Sequence, residues 1–413
     1  MNTQTLQKWD ETTLGDICDE VHGIIQTGPF GSQLHESDYS QDGVPVVMPK
    51  DIIDGKIQTN NIARISEKHV ARLQKHKLKS GDIVYGRRGD IGRQALIGKE
   101  QEGWLCGTGC LKISLGDKIV NPKFLHYYLR DEEVIKWIFN QAIGATMPNL
   151  NTSILRSVPV RIPDVSIQEY IASILSNYDD LIENNIHRIG ILESIGKKIY
   201  TEWFIDFCFP GHEKTKLTKE NLPAEWHSEN LPDLVDFVKG IEPGSNNYKS
   251  IIEPGHIPFL RVGDLGQRSS GIFVERAILG DRIINKNDVA VTLDGTVGRV
   301  AIGIYGGYSS GIRKLVIKDN RVNREYLYFH MLSEHVQNII KSHAKGTTIL
   351  HASESIKYMK FALPNKVIMT EFGALIKPII DEVLVLKGQN ENLSKTRNQL
   401  ISQLVTGKLK IEL

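Results

Sequence analysis

The sequence predicts an α+β protein built as two copies of one unit, each a mixed globular domain followed by a helix of some forty residues. Three observations predict it. An alternating 4/3 spacing of apolar residues occurs twice. A collinear series of matches links the two halves. Each half also carries short strand-like runs punctuated by Gly.

Residues 165–207 hold the first helix. Its inner positions are Ile171, Leu175, Tyr178, Ile182, Asn185, Ile189, Leu192, Gly196, Ile199 and Trp203, and all but Asn185 and Gly196 are apolar or aromatic. At about 1.5 Å per residue it makes a rod of roughly 60 Å. A rod with one apolar stripe is unstable alone in water. Its partner repeats the step through Phe372, Ile376, Ile379, Val383, Leu386, Asn390, Leu393, Arg397, Leu400 and Leu404, each 201 residues later.

The duplication extends through the rest of the chain. At an offset of 217, Trp9, Leu14, Asp16, Val21, Gly23 and Ile24 match Trp226, Leu231, Asp233, Val238, Gly240 and Ile241. At 213, VPVVMPKDI (44–52) matches IPFLRVGDL (257–265), and at 206 GDIVYGRRGDIGRQA (81–95) matches NDVAVTLDGTVGRVA (287–301). At 202, Gly109, Lys112, Leu125 and Gly144 match Gly311, Lys314, Leu327 and Gly346. The offset only falls, so the second copy has lost residues in loops. The expected division is 1–164 and 209–364 for the domains, and 165–208 and 365–413 for the helices.

Domain one opens with a short strand or helix (9–21) and a Gly/Pro-specified loop, GPFGSQL (28–34). A strand follows at 44–52. Residues 77–97 read as a hairpin with a basic tip, 105–115 as a second strand pair, and 122–140 as a helix. The polar GATMPNLNTSIL (144–155) precedes a strand ending at Pro163. Domain two repeats the plan with DGTVGRV (294–300) at the tip, a strand at 311–317 and a helix at 323–343. AKGTTILHAS (344–353) replaces the polar segment, and GPFGSQL diverges to GIEPGSNNYK (240–249). The sheet at each core is expected to be curved and antiparallel.

Composition excludes several classes. No stretch approaches the roughly 18–20 apolar residues of a membrane span, and MNTQTLQKWDE has no secretory pattern, so the chain is expected to be cytoplasmic. Cys18, Cys106, Cys110 and Cys208 suggest no disulfide framework. Cys106 and Cys110 have no second Cys/His pair to complete a metal site, and read as ordinary thiols. There is no GxxxxGK[ST], HExxH or GxSxG. Asn121-Pro122-Lys123-Phe124 approaches the signature of an amine methyltransferase, but its counterpart at 322–326 lacks the Pro, and it reads as a helix start. No catalysis by this chain alone is expected.

The net charge of +1 leaves nucleic acid open, because a basic face can be balanced elsewhere. Between the copies the framework stays alike while the loops change: Arg87 and Arg88 face Leu293 and Asp294, and Met147, Pro148 and Asn149 face Ile349, Leu350 and His351. This pattern suits two readers of one kind of ligand, and duplex DNA fits. Arg and Lys bridge phosphates or take guanine, and Asn pairs with adenine. The candidates are Lys50, Arg87, Arg88, Arg93 and Asn149 in domain one, and Arg261, Arg299, Arg313, Lys314 and Lys345 in domain two. The competing reading of each is a solvated charge or a local ion pair. A non-catalytic scaffold binding proteins through two paired domains is the rival for the whole chain.

The loop GPFGSQL followed by GVPVVMPKDI, then GATMPNL, ESIGKKIYTEWFIDF and the tail LISQLVTGKLKI, in domain–helix–domain–helix order, resemble the specificity subunit of type I restriction–modification systems. The resemblance covers nearly the whole chain, although GIEPGSNNYK and AKGTTILHAS depart from it. It implies two target-recognition domains, each reading half of a split DNA site, separated by two long helices packed as an antiparallel coiled coil that sets the gap. It further implies modification subunits that methylate adenine and motor-nuclease restriction subunits. No cofactor is expected on this chain; S-adenosylmethionine, ATP and Mg belong on those partners. No metal or membrane partner is implied.

An antiparallel pair centred at 187 and 388 joins residues whose numbers add to 575. Asn185 then meets Asn390, and a polar pair in an apolar seam fixes register. The same rule sets Arg397 by Tyr178 and Gly196 by Ile379, with Pro378 a possible break in the second helix. The alternative is that both Asn side chains lie on the wet side of a rotated helix.

Overall fold

Thr13 starts the fold by turning a strand into a helix. Its Oγ1 accepts from Asp16 N at 3.1 Å while the Asp16 carboxylate accepts from Thr13 N, a capping box that opens Leu14–Glu20 straight after Asp10–Thr13. The opening segment is therefore both strand and helix. A computed structural model describes residues 9–87, 92–142, 149–219, 221–266, 270–346, 350–409 and 411. Asp10–Thr13 pairs antiparallel with Pro159–Ile162, so the first and last strands of the domain meet just before the long helix begins at Val165.

Domain one has two four-stranded sheets. One is antiparallel, in the order Ile24–Thr27, Cys110–Ser114, Ile83–Gly86, Gln94–Leu96. The other runs Leu105–Cys106, Val44–Val47, Ala63–Ile65, Tyr39–Ser40, and its first pair is parallel. The hairpin expected over 77–97 is present. The pair expected over 105–115 is not, because Leu105–Cys106 and Cys110–Ser114 belong to different sheets. Likewise the helix expected over 122–140 is two, Pro122–Tyr128 and Glu132–Gln141. The break is Asp131, whose extended backbone lets its carboxylate accept from Glu133 N and Val134 N. Asn121 caps the first of these helices and Pro122 follows it, so the methyltransferase-like tetrapeptide is a helix start.

Domain two repeats this plan. Val235–Lys239, Ile312–Ile317, Val289–Thr292 and Val300–Ala301 form one sheet. Phe273–Glu275, His256–Leu260, Gly306–Tyr308 and Ile283–Ile284 form the other, again with a parallel pair, His256–Leu260 on Gly306–Tyr308. Gln26 lies opposite Lys112 and Val238 opposite Lys314. The structural partner of Val238 is thus Gln26, not Val21, and the matches Gly23/Gly240 and Ile24/Ile241 are likewise not equivalences. The helix Leu231–Leu234 has four residues where Leu14–Glu20 has seven, which shifts the alignment.

The long helices are Val165–Phe204 and Lys366–Leu404, the second running on through Pro378. The chain divides into two compact units, residues 1–182 with 392–413, and residues 183–391, so each helix contributes one segment to each unit. Partners run in opposite directions in both. In the second unit Arg188 meets Glu382 at 2.7 Å and the Trp203 and Phe372 rings lie 5.7 Å apart. In the first, Ile171, Ala172 and Leu175 share a core with Ile401, Leu404 and Val405.

Asn185 is buried, and its Nδ2 donates to Asn390 Oδ1 at 2.9 Å. Replacing Asn390 alone with Leu strands most of a buried amide and is expected to cost about 1–3 kcal/mol. Replacing both Asn residues with Leu is expected to recover that stability while loosening register. Thermal unfolding of the two single variants and the double variant tests this.

The two domain–helix joints differ chemically. In the first unit Arg397, 2% exposed, bonds Asp179, one residue beyond Tyr178, and reaches Asp54 at 3.2 Å. Arg130 adds contacts to Asp54 at 2.8 Å and Asp179 at 3.6 Å, and Tyr127 OH donates to Asp179 at 2.6 Å. Burial alone would raise the Asp179 pKa, but the Arg397 and Arg130 guanidiniums hold it below the usual carboxylate value. At the equivalent positions the second unit has Phe329, Leu332, Ile380 and Gly196. The Phe329 ring presses on Gly196 so closely that a Cβ there would lie 2.1 Å from Cζ. Lack of a side chain at 196 makes room for a ring.

Both units bury histidines: His126 and His76, the latter pushed down to about 4 by burial, in the first, and His330 in the second. Burial pushes His126 and His330 down to about 3, with the ring of His126 on Gln94 and that of His330 on the Tyr200 hydroxyl. Their folded pKa lies below the unfolded value of about 6.5. Their contribution is therefore complete above that value and shrinks as pH falls below it. Denaturation midpoints are expected to drop between pH 6.5 and 4, and H126Q or H330Q is expected to flatten the profile.

Candidate nucleic-acid interface

Several loops of domain one meet at one end of its sheets. Gly28 leaves its strand with N–H on Cys110 O at 2.9 Å, and a Cβ there would lie 2.1 Å from Gly107 O. Only glycine allows this approach. Thr108 Oγ1 then donates to Pro29 O at 3.0 Å, fastening GPFGSQL to the next turn. The short turn Pro49–Asp51 is closed by Asp51, which accepts from Met48 N at 2.9 Å, and Arg93 Nη1 reaches Pro49 O at 3.5 Å. Arg87 ends the hairpin's first strand. Its carbonyl accepts from Leu150 N at 2.9 Å and its Nε donates to Leu150 O at 3.1 Å. Lys50, Arg87, Arg93 and Asn149 are thus brought together with the glycine loop. Lys50 and Asn149 are exposed, and Arg87 and Arg93 half-buried. Arg88 and the tip beyond it lie outside the described residues, as do Met147 and Pro148.

Domain two builds the same end from different side chains. Gly240 N–H bonds Ile312 O, and a Cβ there would lie 2.2 Å from Ser309 O, the counterpart of the Gly28–Gly107 approach. Where Thr108 holds Pro29, Ser310 donates its N–H and hydroxyl to Glu242 Oε1 at 2.9 and 2.6 Å. Asp264 closes the turn Val262–Leu265 by accepting from Arg261 N. Ala352 N donates to Leu293 O at 2.7 Å, and Asp294–Gly295 pairs with Leu350–His351.

The two copies sort the expected contact residues. Arg299 Nη1 donates to Gly263 O at 3.2 Å and Val262 O at 3.5 Å, as Arg93 does to Pro49 O, so both arginines tether the same turn. Arg313 and Lys314, expected to face a ligand, face inward instead. Arg313 is 5% exposed and spends its guanidinium on Asp294 at 3.3 Å, Ser353 Oγ at 2.7 Å and the Ser310 carbonyl. Lys314 Nζ donates to Ile283 O at 3.0 Å, just as its counterpart Lys112 donates to Lys75 O and Lys77 O. A cation bonded to backbone carbonyls of its own domain is structural. Arg261 stays exposed, its guanidinium 4.9 Å over the Tyr248 ring, and Lys345 is exposed beside Glu354 at 2.9 Å.

Sequence reasoning missed Phe30, an aromatic 56% exposed on the loop that Gly28 anchors. The signal was available: a Phe between Pro29 and Gly31 on a turn has few neighbours to pack against. Burial raises the Cys106 thiol to about 12 and places Cys110 well above its ordinary value, so neither is a ready nucleophile or ligand. Among the described residues no three His, Cys, Asp or Glu side chains are grouped to hold a metal, and no helix is long and apolar enough to cross a membrane.

Residues 7–194 and 223–394 each match the family described as the type I restriction modification DNA specificity domain. The type I restriction enzyme MjaIX specificity subunit of Methanocaldococcus jannaschii is 26% identical over 98% of this chain and 94% of its own length. The HindI specificity subunit of Haemophilus influenzae is 20% identical over 98% of this chain and 100% of its own. The crystal structure of the type I restriction–modification S subunit from M. genitalium superposes with a TM-score of 0.50 at 16% identity, covering 100% of this chain and 99% of that one. Matched twice over most of its length, the chain belongs to the type I restriction–modification DNA specificity family and is a specificity subunit carrying two copies of its domain.

Proposed function

We propose that domain one reads one half of a bipartite, asymmetric DNA site and domain two the other, while the antiparallel helices fix the gap between them. The observation that carries this reading is the contrast between shared framework and changed surface. Gly28 and Gly240, Arg93 and Arg299, Lys112 and Lys314 do the same work in each copy. The end they support presents Phe30, Lys50 and Asn149 in domain one, and Glu242, Gly263 and His351 at the matching places in domain two. Lys50, Arg261 and Lys345 would contact phosphates or base edges, Asn149 an adenine edge, and Arg87, Arg93 and Arg299 would hold the loops that present them. Phe30 would stack on or wedge between bases.

In this reading the chain selects the site and does no chemistry itself. Adenine methylation and cleavage fall to modification and restriction subunits that carry S-adenosylmethionine, ATP and Mg, in the cytoplasm. Adenine-methylation mapping of genomic DNA, with this gene intact or deleted in a host carrying the modification partner, tests it. Loss of one split motif on deletion is the expected result. An unchanged pattern, with the complex assembled in the parent, would refute the reading.

A further inference from the structure

The comparison of the two copies singles out His351. It stands 202 residues after Asn149, and the two precede equivalent backbone links: Leu150 N donates to Arg87 O, and Ala352 N to Leu293 O. The His351 backbone is fixed on both sides, exchanging hydrogen bonds with Lys345 at 3.0 and 2.8 Å and pairing with Asp294 across the tip. Its side chain is 64% exposed and places Nδ1 2.8 Å from Asp294 Oδ1. Asp294 is itself pinned, its Oδ2 accepting from Arg313 Nη2 at 3.3 Å, and Arg313 is buried.

This arrangement orients the ring. A carboxylate facing Nδ1 accepts a hydrogen bond from it, and in that tautomer of the uncharged ring Nε2 carries the lone pair and accepts. Nε2 has no hydrogen bond to protein among the described residues. A structural role for His351 adds little, because backbone bonds and the Arg313–Asp294 pair already close the tip and one more side-chain hydrogen bond contributes about 0.5–1.5 kcal/mol. Rigid support beneath an exposed, directed acceptor is what base readout needs.

We propose that His351 is a specificity-determining residue of domain two, with Nε2 accepting a hydrogen from the exocyclic amine of an adenine or cytosine in the major groove. Asp294 and, through it, Arg313 are positioning residues. The proposal rests on the reading of domain two as a DNA-binding half. Among the four bases only adenine and cytosine present an amine donor in that groove. His351 is therefore the acceptor-only counterpart of Asn149, which combines an acceptor with a donor.

The test uses the assembled modification complex with H351A and H351Q, read by adenine-methylation mapping. H351A is expected to leave the first half-site and the gap unchanged and to broaden one position of the second half-site, with discrimination there falling about tenfold or more. H351Q, which keeps an acceptor and a similar volume, is expected to retain preference for adenine at that position. Methylation of the unbroadened motif by H351A overturns the proposal, as does broadening in both halves. Failure of DNA recognition altogether is a separate outcome, visible as methylation that survives deletion of the gene. Thermal unfolding of H351Q at the parental temperature shows that a shifted motif does not come from a damaged domain.

Discussion

Asp179→Ala is expected to destabilise the unit formed by residues 1–182 and 392–413 by about 3–5 kcal/mol, because it strips the more buried of their two carboxylates from two buried guanidiniums. Of the two carboxylates Arg397 and Arg130 would keep Asp54, whose side chain is 53% exposed. Hydrogen exchange of the full chain resolves the effect by peptide. Protection should fall in residues 1–182 and 392–413 and persist in 183–391. Replacing Arg130, Asp179 and Arg397 together by uncharged residues, as the second unit has Leu332, Ile380 and Gly196, is expected to cost far less than the single removal. Acid has the same target. The Asp179 pKa is held low, so its stabilisation is complete above the unfolded value of about 3.9 and is lost as pH falls through the folded one. That loss begins more than two pH units below the onset expected for the buried histidines.

Gly28→Ala is expected to abolish methylation of the split motif, while Gly31→Ala, three residues on, leaves it intact. A Cβ at Gly28 meets the Gly107 carbonyl at 2.1 Å, and that oxygen is backbone, which cannot swing aside. At Gly31 an added methyl has nothing within 4 Å and no left-handed backbone to strain. The cost at Gly28 is about 1–3 kcal/mol or more, concentrated in the loop that carries Phe30 and the turn that Thr108 fastens to it. Equal loss of methylation in both variants, or in neither, would contradict this account of the loop.

The parts that were legible in the sequence are those governed by period and by backbone chemistry. The 4/3 spacing located both long helices, Val165–Phe204 and Lys366–Leu404, although the second was expected to run on to 413. Gly-rich turns located the hairpins, and matched glycines revealed the duplication. The partition of 105–115 between two sheets was not legible, since pairing depends on strands distant in the chain and a short apolar run pairs equally well with either. Asp131 broke a helix that periodicity would have continued, because a cap competes locally with the pattern. At the candidate site, residue type found the right loops but not the direction of each side chain. Arg313 and Arg261 lie in equally plausible places in the sequence. One is buried on Asp294 and the other exposed over Tyr248, and only the tertiary fold distinguishes them.

The ionic joint beneath domain one joins distant parts of the gene. Asp54, Arg130 and Asp179 are encoded in its first half, whereas Arg397 is encoded near its end. An exchange of the first recognition domain, residues 1–164, between two such genes would move Asp54 and Arg130 and leave Asp179 and Arg397, both on the long helices, behind. Unless the incoming domain supplied a carboxylate where Asp54 stands, Asp179 alone would have to answer both Arg397 and any arginine that arrived at position 130. At the second domain the corresponding place is Phe329 against Gly196 of the first long helix, so an exchange there strands no charge. New specificities should therefore be easier to acquire by replacing the second domain than the first, an asymmetry set by the helix joint and independent of any base the domains read.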